Sequence, residues 1–124
     1  MIKLIPSLAM FASLVWGCGA SFPPPTQRMA DAQAAERSAK ELGATDEPVA
    51  KLSLKLAQDQ IAMAEKAMTD GDNQRADTLL VRAKADAELA IAQARERNAR
   101  TATEKAAADS AAQKATNVGQ GAVK

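Results

Sequence analysis

Histidine and tyrosine are missing from this 124-residue chain, and cysteine and tryptophan occur once each. These shortages remove whole classes of chemistry. Without histidine, a metal site would have to be assembled from carboxylates alone, and no imidazole is available for acid–base work. A single cysteine leaves no second thiol for an intrachain disulfide. Charge of one sign is not in excess: 16 Lys and Arg against 15 Asp and Glu give a formal charge of +1, with no basic patch to suggest nucleic acid. No Gly-rich phosphate loop follows a strand, because no segment has the pattern of a strand.

What is present begins with a short basic-then-apolar N-terminus. Lys3 is followed by an apolar run from Leu4 to Trp16, then by Gly17 and Cys18. That run is roughly thirteen residues long, short of the ~20 needed to span a bilayer as a helix. A positive n-region, an apolar h-region and a small residue before cysteine resemble a bacterial lipoprotein signal. The resemblance implies cleavage between Gly17 and Cys18 and acylation of the Cys18 sulfur. Two or three acyl chains, at about 0.8 kcal/mol per buried CH2, would hold the chain stably to a membrane. Position 19 is Gly, not the Asp that retains many Gram-negative lipoproteins in the inner membrane. The expected location is therefore the outer membrane, lipid-anchored and facing the periplasm.

After the anchor the chain changes character twice. Residues 18–25 end in Pro23-Pro24-Pro25, a polyproline stretch expected to act as a tether. From Thr26 onward alanine dominates and both signs of charge are interspersed, which is helical composition. Gly43 and Gly71 punctuate it as helix stops. After Gly43, Thr45 and Asp46 are candidate N-caps and Pro48 suits a first helical turn; after Gly71, Asp72 is the expected cap. The pattern predicts helices over residues 26–42, 47–69 and 72 to beyond 97. The fold class is all-α: an antiparallel three-helix bundle or a helical hairpin with a long third helix.

Helical periodicity supplies the packing faces. The third helix carries Ala76, Leu80, Ala83, Ala87, Ala90 and Ala94, flanked by Leu79 and Ile91, and the first offers Ala32, Ala35, Ala39 and Leu42. On the second helix Val49, Leu52, Leu56 and Met63 form one side, and Leu54, Ala57, Ile61, Ala64 and Met68 an adjacent one. Two apolar sides predict that the second helix lies between two neighbours. Alanine seams allow close backbone approach but bury little area, so the few larger side chains must supply most of the hydrophobic stabilisation, and self-association would add to it. Glu36 with Lys40 and Glu96 with Arg100 are spaced as helix ion pairs. The bundle is expected over residues 26–97. Residues 98–124 follow as a polar, alanine-rich helical extension, with a flexible tail from Asn117.

Carboxylates near the second turn, Asp70, Asp72 and Asp77, lack the alternation of a calcium loop and are expected to cap helices instead. Slim helices with alanine seams offer no cleft for catalysis, so neither an enzyme nor a cofactor is expected. The alanine-rich first helix ending in Leu42-Gly43-Ala44, the Gly71-Asp72 turn, and the series Ala76, Leu79, Leu80, Ala83, Asp86, Ala87, Glu88, Leu89 and Ala90 resemble a helical domain of unknown function. That domain occurs in small proteobacterial outer-membrane lipoproteins, sometimes ahead of an OmpA-type peptidoglycan-binding domain. The resemblance implies an interaction or spacer role with an envelope protein partner or a second copy. A weaker resemblance, to Braun-type murein lipoproteins, rests on the alanine-rich helix and the terminal Lys124. It implies a covalent tie between peptidoglycan and the Lys124 amine. The glycine turns and Pro48 depart from the single uninterrupted helix of those proteins.

Overall fold

A computed structural model describes residues 21–121 as three helices: α1 (Thr26–Glu41), α2 (Pro48–Thr69) and α3 (Asn73–Gly121). Both turns are built by glycine. Gly43 and Gly71 adopt φ of 84° and 81°, where an L side chain is strained. After α1, the Gly43 N–H donates to Lys40 O and the Ala44 N–H to Ala39 O; after α2, Gly71 donates to Met68 O and Asp72 to Ala67 O. This paired arrangement satisfies the last carbonyls of each helix and reverses the chain. The Asp72 carboxylate accepts the Arg75 N–H at 3.1 Å and starts α3. For α2 the cap is Glu47, whose carboxylate accepts the Ala50 N–H, and not Thr45 or Asp46. Pro48 explains the shift: it sits in the first turn, so the residue preceding it is held extended and becomes the cap.

α3 is the shared partner of the other two helices, and α1 and α2 touch each other least. α2 does touch both neighbours, but α3 is the hub, and only one of the two expected apolar sides of α2 is covered. Its Leu54, Ala57, Ile61 and Ala64 are buried, whereas Val49, Leu52, Leu56 and Met63 are exposed. The reason lies in α1, which is 16 residues long and poor in large apolar side chains. It settles against the alanine stripe of α3 and touches α2 least, with the Gln58–Glu36 hydrogen bond between them. All six stripe positions of α3, Ala76 through Ala94, are buried, with Leu80 the largest side chain wholly removed from solvent among the described residues.

The core divides into two patches along the bundle. One gathers Ala32, Ile61, Ala64, Ala67, Ala76, Leu80 and Ala83, with Met29, Met68 and Leu79 packed against it. The other gathers Ala39, Ala44, Ala50, Leu54, Ala90 and Ala94 beneath Leu42 and Ile91. At the first end, Arg28 pairs with Asp77 at 2.5 Å, and the Asn73 side-chain amide donates to Phe22 O at 2.8 Å. Pro25 is buried, so the last residues of the expected tether are held on the bundle.

Beyond Ala94 the stripe ends, as its spacing implies. Asn98 donates to Leu42 O at 3.1 Å, the last tie to another element. Residues 95–118 are exposed throughout. The helix nonetheless continues to Gly121, through positions where the sequence suggests a tail. Extending an existing helix requires no new nucleus, and alanine-rich sequence propagates it. At 1.5 Å per residue, 49 residues make α3 a rod of about 73 Å.

Candidate interaction surface

The seam alanines fix what lies on either side of them. One residue along a helix is a rotation of about 100°, so the neighbours before and after a seam alanine point to opposite flanks. Residues after the alanines face α1. Gln58, following Ala57, donates to Glu36 of α1 at 2.9 Å; Asp77, following Ala76, pairs with Arg28; Ile91, following Ala90, packs in the patch that holds Leu42 and Ala39. Residues before the alanines fall on the other flank: Val49, Leu56 and Met63 on α2, and Arg75, Arg82 and Leu89 on α3.

Among the described residues no element covers that second flank of the α2–α3 pair. Its floor is a short polar ladder: Ser53 Oγ donates to Gln93 Oε1 at 2.9 Å, and Gln60 Nε2 donates to Asp86 Oδ2. Gln60 Oε1 is buried without a hydrogen-bond partner. Above the ladder stand Val49 at 57% exposure, Leu56 and Met63 at 46% and Leu89 at 48%. At one end, Val49, Gln93, Glu96 and Arg100 line an open cleft of about 350 Å³. Four large apolar side chains thus lie outside while alanine fills most of the seam positions around Leu54, Ile61 and Leu80, a departure from the usual distribution. This row of exposed apolar side chains makes the flank the candidate interaction surface.

Electrostatics contribute structure on the covered flank. Burial of the Glu36 carboxyl opposes its ionisation, but hydrogen bonds from Lys40 and Gln58, with the nearby charges of Lys40 and Arg37, outweigh it and hold the pKa below its ordinary value. The Glu36–Lys40 and Glu96–Arg100 pairs expected from spacing form at 2.6 and 2.5 Å. Of the acidic residues near the second turn, Asp72 caps α3, Asp70 pairs with Lys66 and Asp77 with Arg28. Among the described residues no group of three His, Cys, Asp or Glu side chains is placed to hold a metal ion, and no helix is long and apolar enough to cross a membrane.

Gly17, Cys18 and Lys124, the residues on which the sequence places signal cleavage, lipidation and peptidoglycan attachment, lie outside the described residues. Helical periodicity did not assign the polar ladder or Leu89 to this flank, although Asp86 and Leu89 stand in the series that carries the family resemblance. Their signal is positional: each stands one residue before or three residues from a seam alanine, on the flank away from α1.

Comparison with protein families places this geometry. Residues 27–106 match the family described as Domain of unknown function (DUF4398), about two thirds of the chain. The chain belongs to this family. No curated protein and no solved structure matches it. The DUF4398 match takes in all three bundle helices and runs past Ala94 to residue 106, so the family pattern includes the first three turns of the exposed part of α3.

Proposed function

We propose that this DUF4398 protein is a non-enzymatic outer-membrane lipoprotein that presents a small helical interaction domain to the periplasm. The observation that carries the interaction role is the row Val49, Leu56, Met63 and Leu89, held outward on a bundle whose seams are alanine. The anchor rests on Lys3, the apolar run to Trp16, and Gly17-Cys18. Phe22 is bonded to Asn73 at the α2–α3 turn, so an acylated Cys18 four residues earlier would keep that end of the bundle close to the lipid surface.

A second reading, covalent attachment to peptidoglycan through Lys124, draws support from the length of α3. The rod of about 73 Å ends at Gly121, three residues before Lys124, and starts at the turn nearest the anchor. One fractionation tests both. Cells labelled with radioactive palmitate, with and without globomycin, should show a labelled chain whose processing the drug blocks and which Cys18→Ala abolishes; an unlabelled chain of unchanged size would refute the lipoprotein. Boiling the sacculi of the same cells in detergent should release all of the protein. Material that stays bound until muramidase treatment, with added mass on Lys124, would favour the tether.

A further inference from the structure

The uncovered flank of α2 and α3 has a shape that restricts its occupant. Val49, Leu56 and Met63 recur every seven residues with Leu52 beside them, and span an arc of about 60° at 100° per residue. A helix that lies in a lipid interface presents an apolar arc of 100° or more. A narrow row of heptad spacing is the seam of a helix packed on another helix. α1 covers one flank of the α2–α3 pair, and among the described residues nothing occupies the opposite flank, which suits helices of the same kind.

The register of the pair identifies those helices. The Ser53–Gln93 and Gln60–Asp86 hydrogen bonds set which residues of α2 and α3 lie level. Within one residue, Val49 is level with Glu96, Leu56 with Leu89, Met63 with Arg82 and Asp70 with Arg75. We propose that a second copy of this chain covers the flank, related by a two-fold axis parallel to the helices. Such an axis leaves heights unchanged, so α2 of one copy lies over α3 of the other in the register already present within each chain. Leu56 of one copy then meets Leu89 of the other at the centre. Met63 packs on the aliphatic stem of Arg82, and Asp70 faces Arg75 across the end. All three contacts are made twice, as a two-fold requires.

A perpendicular two-fold would bring Asp70 opposite the Val49 end and place the two N-termini at opposite ends of the assembly. The parallel axis sets both N-termini at one end, as two chains anchored in one membrane require; this choice of axis rests on the lipoprotein reading. The face is about 33 Å long, from the 22 residues of α2, and roughly 20 Å wide for two helices packed 8 to 10 Å apart. That is about 600 Å² per copy, at the small end for a stable dimer. Confinement to one membrane leaflet raises the effective concentration and compensates for the modest area.

Full-length chains carrying Leu56→Cys and Leu89→Cys, separately tagged and co-expressed in a Gram-negative host, should cross-link to each other in intact membranes when treated with a short bifunctional thiol reagent. Asp70→Cys with Arg75→Cys should do the same. Val49→Cys with Asp70→Cys, and Gln58→Cys with Leu89→Cys, should give no more than the wild type, whose only cysteine is Cys18. In mild detergent the wild type should have twice the mass of the Leu56→Asp, Leu89→Asp double variant, with equal helix content by circular dichroism. A monomeric wild type, preferential Val49–Asp70 cross-linking, or labelling of Leu56→Cys by a lipid-soluble reagent without cross-links between copies would each overturn the proposal. Palmitate labelling is scored separately on the same samples. A cross-linked but unlabelled chain would refute the lipoprotein reading and leave the pairing of copies standing.

Discussion

Two stretches of α3 use alanine equally and behave differently. Residues 73–94 contain seven alanines and residues 95–118 contain eight. In the first stretch Ala76, Ala83, Ala87, Ala90 and Ala94 are buried together with Leu80; in the second every residue is exposed. Alanine content makes both helical, because alanine has the highest helix propensity whatever surrounds it. Burial needs more. Ala99, Ala102 and Ala106, and Ala108, Ala111 and Ala115, recur at three and four residues as the seam alanines do, so large side chains must also stand among them. The first stretch has Leu79, Leu80, Val81, Leu89 and Ile91, and the second has only Val118 near its end. A helix can therefore be specified over its whole length by propensity and fastened to a bundle over only half of it.

Substitutions matched between the two stretches test that contrast. The largest effect is expected from Leu80→Ala, which removes the largest fully buried side chain and should lower stability by about 2–5 kcal/mol in urea denaturation of the full chain. Val118→Ala in the exposed stretch should leave the transition in place. A shift of the transition by Val118→Ala would mean that the distal stretch is packed after all.

Overpacking should follow in size. Ala87 has no exposed surface, and Ala87→Leu should cost about 1–3 kcal/mol because neighbouring helix backbones must move apart. Ala108→Leu adds the same atoms to an exposed position and should leave the thermal midpoint unchanged within about 0.5 kcal/mol. Equal losses from the two would show that both stretches have a covered face.

The smallest effect concerns Glu36. Its folded-state pKa is depressed, so it contributes stability at pH values above its ordinary value of 4.5, and that contribution is lost as pH falls below 4.5 through the folded value. Glu36→Gln should therefore cost about 0.2–1 kcal/mol at pH 7, the range of half-exposed ion pairs, and the difference from wild type should vanish in acid. Removal of residues 101–124 should not alter this difference, because Glu36 lies in the bundle. A pH-independent difference would assign the effect to packing of the side chain instead of its charge.

Much of this architecture is legible in the residues. Gly43 and Gly71 end helices because only glycine takes the left-handed backbone there without strain, and the alanine stripe of α3, with Leu79, Leu80 and Ile91 on or beside it, marks its buried face. Less legible is the role of α2. Leu54 and Ile61 are buried and Leu56 and Met63 are not, although all four have helical spacing and comparable hydrophobicity. Periodicity shows that a side of a helix is apolar, and it carries no information about which element is present to cover that side. The Glu47 cap was similarly hidden behind Thr45 and Asp46, which have the better capping side chains, because Pro48 decides where the helix begins.

Local chemistry thus determined the all-α character, the two glycine turns, the limits of the helices to within a few residues and the end of the packed stripe at Ala94. Each depends on a residue's own backbone preference or on neighbours three or four positions away. Tertiary structure alone decided that α3 is the hub, that α1 takes one flank of the α2–α3 pair, and that Val49, Leu56, Met63 and Leu89 are left facing outward. Those outcomes depend on α1 and α2 sharing the alanine stripe of α3: α1 can satisfy its few apolar residues on one side only, and no described element covers the other.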